Sequence, residues 1–417
     1  MNDNTQVRVS AFVDEARLTD RLAAMARIGA TENGGVNRQA LSKEDAAAQA
    51  QLVQWGAALG LAPSRDAAGN LFLRLEGTDA SAKPVLTGSH LDSQPTGGKF
   101  DGVYGVLAAL EAVEAIVASG VRPRGPIDIV AWMNEEGSRF APGMMGSAVF
   151  AGQRGLENVL AVTDANGVTV EAALREVREA LRHVPERELG GPVAAYVEAH
   201  IEQGPHLENE GLTIGVVNGI QGKRTFAVRV EGEAAHAGTS TRAERKDALL
   251  AAVAMVQALA DAFHDAQDVV KFTVGRFEVK PSAPSVVASL VEFSIDLRHP
   301  DSQVLRDLGD KVRPICEANA GVCAVQVKEL STAMSLEFPA PMRGLVRAAA
   351  QRLGLAHRDI LSTAGHDARY LHAVCPSGMI FVPSHLGLTH CEAEFTSSAD
   401  SASGARVLAE VLSELAA

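Results

Sequence analysis

Strands and helices alternate through the first third of this chain, and that alternation constrains its fold more than any other feature. Ser42 precedes Ala48, Leu52, Trp55 and Leu59 at helical spacing, with Asp45 placed as the third residue of a capping box. Leu71, Leu73 and Leu75 then read as a short strand. Pro84 to Thr87 leads a second strand into the polar turn Gly88-Ser89-His90. Gly102 to Val117 is an Ala-rich helix of buried character, carrying Leu107, Leu110 and Val113. Ile127 to Met133 (IDIVAWM) is a continuous apolar strand that stops at Asn134-Glu135-Glu136. This order predicts an α/β fold with a parallel sheet.

The pattern changes after roughly Gly215. Lys223 to Glu231 alternates as a strand, Asp247 to Phe263 is a helix, and Val269 to Val279 is a strand. Val286 to Arg298 is a further strand, Asp301 to Asn319 a helix, and Val322 to Lys328 a last strand. The order β-α-β-β-α-β is the split βαβ arrangement of a ferredoxin-like α+β domain. The C-terminal third resumes the α/β alternation, with a helix near Pro341 to Leu353, a turn at Ser362 to Asp367, the strand Met379 to Val382 and a final helix from Ser398. We therefore expect a discontinuous α/β domain over 1–215 and 330–417, interrupted by an inserted domain over 216–329.

Composition narrows the function classes. With 38 Lys+Arg against 51 Asp+Glu, the chain of 417 residues carries a formal charge of −13. Nucleic-acid binders and polybasic membrane-surface proteins need positive fields, so neither is expected. Aromatics are only 4%, too few for base-stacking platforms. No run of 18 apolar residues predicts a membrane span. Met1 to Arg17 lacks a basic region followed by an apolar one, so no signal peptide is expected. Cys316, Cys323, Cys375 and Cys391 form no CxxC pair, which fits a reduced, cytoplasmic protein, with Cys391 a small buried residue rather than a ligand.

Polar residues gather where the apolar strands end. His90-Leu91-Asp92 follows one strand and Asp101 begins a helix eleven residues on. Glu135-Glu136 ends another, His200 lies in Tyr196 to Pro205, and His390 follows Phe381-Val382-Pro383. Any one of these alone is more often a cap or a solvated loop residue. Their recurrence after separate strands suits one or two divalent ions such as Zn²⁺, because open α/β sheets bind ligands at the carboxyl ends of their strands.

Seven strings stand in order: TGSHLDSQPTGGKFDGVYGVLAALEA, NEEGSRFAPGMMGS, EAHIEQGPHLE, GEAAHAGT, FSIDLRHPD, AGHDA and GLTHCEAEF. Together they resemble the amidase/hydantoinase/carbamoylase family of binuclear-metal amidohydrolases, related to aminoacylase-type metallopeptidases. The resemblance implies a zinc-exopeptidase-like αβα catalytic domain with the insert as lid and dimerisation domain. It implies two divalent metal ions per subunit, Zn²⁺ first and Mn²⁺, Co²⁺ or Ni²⁺ as alternatives. The ligands would be His90 and His200 on one ion, Glu136 and His390 on the other, and Asp101 bridging both.

The same resemblance makes Glu135 the general base and Asp92 the partner that orients His90. His236 would stabilise the oxyanion across a dimer interface. Arg298 would clamp the substrate carboxylate, Gln203 would bind the carbamoyl group, and the backbone at Ala364 and Gly365 would add N–H donors. Ser285 departs from the pattern, since the family usually has Asn there. The implied reaction is hydrolysis of a linear amide C–N bond in a small carboxylate-bearing ureido or amide substrate. The first candidate is an N-carbamoyl-L-amino acid, giving amino acid, CO₂ and ammonia, in a cytoplasmic homodimer. Allantoate, N-carbamoyl-β-alanine or an acyl amide remain open as substrates. A catalytically dead binding protein would have lost Glu135 or a ligand, and a dehydrogenase would need a GxGxxG turn that Gly98, Gly102 and Gly105 do not form.

Overall fold

Four strands buried along their whole length set the frame: Val85–His90, Ile127–Trp132, Ala195–Ile201 and Ser377–Val382. In this computed structural model, which describes residues 8–417, they are mutually parallel neighbours. The first seven residues, part of the segment expected to lack a signal peptide, lie outside the described residues. Across the sheet the order is Ala62–Arg65, Leu71–Leu75, Ile127–Trp132, Val85–His90, Ala195–Ile201, Ser377–Val382 and Ile214–Ile220, with His357–Ser362 also pairing with the last. Strands apolar at nearly every position need cover on both faces. Helices Val103–Ser119 and Ser398–Leu415 pack on them and on each other, and Met145–Phe150 and Ala368–Leu371 pack on them as well.

The helix Val103–Ser119 shows why the sequence folds this way. Thirteen of its seventeen residues are buried, so it is apolar all round rather than amphipathic. Its one buried charge, Glu111, is answered by Arg17 and Arg21. Gly102, at φ 67°, starts it, and Gly120 in the left-handed region ends it. At the helix Lys43–Ala58, Ser42 Oγ accepts the Asp45 N–H, while the Asp45 carboxylate reaches back to the N–H of Leu41 rather than Ser42.

Because Val85–His90 has Ile127–Trp132 on one side and the later Ala195–Ile201 on the other, the strand order reverses at His90. In open α/β sheets such a reversal marks the carboxyl edge at which ligands bind. Register places His90 opposite Trp132 and His200 opposite Phe381, so both imidazoles arrive at this edge.

The chain divides into two units, one of Met1–Asn218 with Phe338–Ala417 and the other of Gly219–Glu337. The second has its own core of Phe226, Val228, Met255, Leu259, Phe293 and Leu297 among others. Its antiparallel sheet runs Phe277–Lys280, Leu290–His299, Gly222–Glu231, Ala324–Ala333, with Lys271–Thr273 also on Leu290–His299. Helices Ala248–Ala262 and Ser302–Ala318 start at Asp247 and Asp301, whose carboxylates accept N–H groups of the first turn. The strand Ala324–Ala333 carries this unit past residue 329.

Two expected strands are each broken. Val269 to Val279 is two short strands, Lys271–Thr273 and Phe277–Lys280, separated around Gly275. Val286 to Arg298 splits because Val286–Val287 leaves the sheet to pair with Ala235–His236 in a separate ribbon. Among the described residues no helix is long and apolar enough to cross a membrane. The four cysteines are unpaired, and Cys391 is half-buried rather than buried.

Candidate metal centre

At the carboxyl edge the two buried histidines come preset. The His90 Nδ1 lies 2.9 Å from the backbone oxygen of Asp92, and His200 Nδ1 lies 2.9 Å from that of Ile201. A carbonyl only accepts, so each ring spends its N–H there and turns a bare Nε2 lone pair inward. Gly102 makes room, since a Cβ at that residue would sit 2.2 Å from the His90 ring.

Asp101 is the common partner. Its Oδ1 lies 3.3 Å from His200 Nε2 and 4.0 Å from His90 Nε2, while Oδ2 lies 3.2 Å from His390 Nε2. His390 Nε2 is also 3.5 Å from Glu136 Oε2. Two clusters of ligand atoms, each within 4.8 Å, therefore share Asp101: one with His90 and His200, one with Glu136 and His390. A third joins Glu198, His200 and His366 behind them. Neutral imidazoles and carboxylates are the donor set of a borderline divalent ion, and the arrangement fits divalent metal binding.

The electrostatics of the cluster suit a bound cation. Burial drives the Glu136 carboxyl up to about 8, with the Asp101 charge adding to it. Burial, then the charges of Asp367 and Glu136, holds Glu135 well above the carboxylate range. Burial would raise Asp101 too, but the His390 hydrogen bond, with the imidazoles of His200 and His90 beside it, holds it well below that range. His390 is pushed up to about 9, first by the bond to Asp101. Carboxylates crowded out of water in this way are eased by a cation.

Glu135 and Glu136 take different directions. Glu135 Oε2 lies 3.6 Å from His90 Nε2, whereas Glu136 Oε2 accepts from Gln94 Nε2 at 2.7 Å and faces His390. Asn134, at φ 55°, turns the chain between strand and carboxylates. Asp92 lies beside the His90 ring, its carboxylate Oδ1 3.7 Å from His90 Nδ1. It meets His90 through its backbone oxygen, and its carboxylate accepts the N–H groups of Glu135 and Glu136 at 3.2 and 3.1 Å. Gln203, at φ 59°, donates Nε2 to Asp101 Oδ2 at 3.0 Å and to Thr389 at 3.2 Å, leaving a buried Oε1 without a partner.

The remaining expected residues divide between the two units. In the turn Ser362 to Asp367, the Ala364 N–H already donates to Ser362 Oγ at 3.2 Å, so Gly365 is the remaining expected donor. His236, Ser285 and Arg298 belong to the second unit. His236 Nδ1 accepts the N–H groups of Gly238 and Thr239 at 3.0 and 3.2 Å, which places the ring proton of the neutral form on Nε2. The Ser285 carbonyl accepts the Ala237 N–H, beside His236. Arg298 forks onto Asp296 through Nε at 2.7 Å and Nη2 at 3.2 Å.

Glu394 also belongs to this cluster, although the sequence pattern did not single it out. Buried at 3% exposure, its Oε1 accepts the N–H groups of Phe100 and Asp101 at 2.8 and 2.9 Å, and Oε2 accepts Thr389 Oγ1 at 3.1 Å. It thus braces the shared carboxylate and the residue before His390. Its signal was its place in GLTHCEAEF.

An α/β sheet with histidines and carboxylates converging at its carboxyl edge defines a hydrolase scaffold suited to a divalent metal. The chain belongs to Peptidase family M20/M25/M40, which it matches over residues 86–414. It is 37% identical over 409 residues to the N-carbamoyl-L-amino-acid amidohydrolase of Rhizobium meliloti, covering 97% of each chain. It is 34% identical over 407 residues to the allantoate amidohydrolase of Bacillus subtilis, covering 96% of this chain and 97% of that one. A crystal structure of an amidase of the hydantoinase/carbamoylase family from Burkholderia vietnamiensis superposes with a TM-score of 0.89 at 40% identity, over 99% of both chains.

Proposed function

We propose that this chain hydrolyses the linear amide C–N bond of an N-carbamoyl-L-amino acid to the amino acid, CO₂ and ammonia, using two divalent ions, Zn²⁺ first. The observation that carries this reading is the pair of ligand clusters sharing Asp101, with Glu135 beside His90. His90 and His200 would hold one ion and Glu136 and His390 the other, with Asp101 shared between the two groups. A divalent ion bound there acidifies water and polarises a carbonyl.

The other steps belong to the side chains. Glu135, whose burial raises its proton affinity, takes a proton from the attacking water and returns it to the leaving nitrogen. Gln203 offers its unpartnered Oε1 to a carbamoyl N–H; the amide is fixed that way round because Nε2 is held by Asp101. His236 presents Nε2–H to a developing oxyanion, supported by the two N–H groups that occupy Nδ1. Arg298, with the Gly365 N–H, takes the substrate carboxylate.

The second unit is read as a ferredoxin-like lid and dimerisation domain. Its helix Ala248–Ala262 leaves Leu250 and Val253 59% and 51% exposed three residues apart, an apolar stripe suited to a second copy of this chain.

Allantoate is the second reading, favoured by the relatives of that name at 34% and 35% identity. One experiment addresses both: chelated protein, reloaded with Zn²⁺, Mn²⁺ or Co²⁺, is assayed for ammonia release on N-carbamoyl-L-amino acids, allantoate and N-carbamoyl-β-alanine, and for release of the free amino acid from acyl amino acids. Fastest release from the carbamoyl-L-amino acids is expected, and none without metal. Full activity after exhaustive chelation sinks the metal reading, and exclusive allantoate turnover replaces the first substrate with the second.

A further inference from the structure

Arg38 stands before the helix Lys43–Ala58, outside every motif string, with only 2% of its surface exposed. A buried guanidinium is costly unless its donors are used. Here they bind backbone. Nε donates to the Leu91 carbonyl at 2.6 Å, and Nη1 donates to those of Met25 and Ile28 at 3.0 and 2.9 Å. Met25 and Ile28 lie at the C-terminal end of the helix Glu15–Ala26, where carbonyls lack helical partners and a cation is favoured.

The Arg38 backbone grips the same turn. Its N–H donates to Ser93 Oγ at 2.9 Å, and its carbonyl accepts the Ser93 N–H at 2.9 Å. One residue therefore holds Leu91 and Ser93, the two neighbours of Asp92. Asp92 in turn holds the His90 ring by its backbone oxygen and the N–H groups of Glu135 and Glu136 by its carboxylate, while Ser138 Oγ donates to the Ser93 carbonyl at 3.1 Å. Every link from Arg38 to a ligand and to the base is a named bond.

We propose that Arg38 is a positioning residue of the metal centre: it fixes the Leu91-Asp92-Ser93 turn, and through that turn the inward Nε2 of His90 and the direction of Glu135. The inference rests on the metal reading above. The guanidinium suits the task because its donors leave in fixed directions, so a rigid fork spans a helix end and a strand-end turn at once. Burial lowers its pKa only to about 10, so it stays cationic at neutral pH, facing Asp45 and Asp92.

Arg38→Lys keeps the charge and loses the fork. Its Zn²⁺ dissociation constant, read by chelator competition, is expected to rise about 10–100-fold, the usual cost of removing a group that orients metal ligands. The visible spectrum of the Co²⁺-loaded variant should shift as the His90 geometry relaxes. Ser93→Ala removes the Oγ that accepts the Arg38 N–H, along with its bonds to the Val36 and Gln94 carbonyls, but keeps the guanidinium fork, and should weaken Zn²⁺ by a smaller factor. A purely structural role lowers the melting temperature of the metal-free protein and leaves Zn²⁺ affinity and the Co²⁺ spectrum at wild-type values; that result overturns the proposal. If Arg38→Lys does not fold, Ser93→Ala decides, and unchanged affinity there overturns it equally. Wild-type protein that takes up no Zn²⁺ removes the metal reading itself, and the inference with it.

Discussion

The two halves of the centre are built in opposite ways. His90 and His200 come from strands buried on both faces, and each ring is held by a carbonyl one or two residues away. Glu136 and His390 come from turns. The His390 side chain is 48% exposed, and its backbone sits at φ 55°, a conformation that costs a non-glycine residue about 1–2 kcal/mol. In the first half the fold itself supplies ligand direction. In the second, direction comes from neighbours such as Gln94, Glu394 and Thr389. Buried side chains of His90, His200 and Glu136 beside an exposed His390 give a site that can be held in place and still admit a substrate.

Asp101 is the only expected ligand shared by both halves, so it gives the strongest test of that division. Asp101→Asn should empty both halves and abolish turnover, seen as loss of bound metal by elemental analysis. Glu135→Gln is the control: metal content should stay at the wild-type level while turnover falls about 10²–10⁴-fold, the range of a lost general base. If Glu135→Gln keeps full activity, Glu135 is not the base. If Asp101→Asn keeps half its metal, the halves do not share a ligand.

The next effect separates the halves by stability. His200 is buried, lies 4.5 Å centroid to centroid from the His366 ring and packs against Phe381. In metal-free protein, His200→Ala should leave a cavity and cost about 2–4 kcal/mol, as buried truncations do. His390→Ala should cost less, because the half-exposed ring leaves no cavity and loses only a solvent-screened pairing with Asp101 and Glu136. Thermal melts of the two variants read the difference directly, and equal losses would show that exposure does not distinguish them.

What was readable in advance follows the same division. IDIVAWM announced a buried strand because cover on both faces leaves an apolar run, and the helix Val103–Ser119 announced itself by Leu107, Leu110 and Val113. His90 and Glu136 were visible because polar residues at the ends of such strands stand out. Ile214–Ile220 and His357–Ser362 were not read as strands; the first mixes Gly215, Asn218 and Gly219 among its apolar residues, and the second carries Arg358 and Asp359. Val269 to Val279 looked continuous because local alternation cannot show where pairing stops. Glu394 and Arg38 stayed hidden for a common reason. Their partners are backbone N–H and carbonyl groups 293 and 53 residues away, and a backbone group carries no signature in the sequence. Which way round the Asp92 carboxylate faces was unreadable on the same ground.

The smallest predicted effect concerns pH and again sets the open half against the buried one. In metal-free protein His390 is raised from 6.5 to about 9, so the stability it contributes is full below pH 6.5 and is lost as pH rises through about 9. Glu136 is raised from 4.5 to about 8, so folding favours its protonated form and stability also declines as pH rises from 4.5 to 8. Both trends have the same sign, and solvent around His390 softens its share. Chelated protein should therefore melt at a lower temperature at pH 9 than at pH 6, with His390→Ala losing the upper part of that slope. Zn²⁺-loaded protein should lose most of it, because a bound cation replaces the proton as the partner of these carboxylates. A melting temperature of the chelated protein that climbs from pH 6 to pH 9 would mean that the crowded carboxylates are eased by something other than protons, and the contrast between the halves would lose its electrostatic basis.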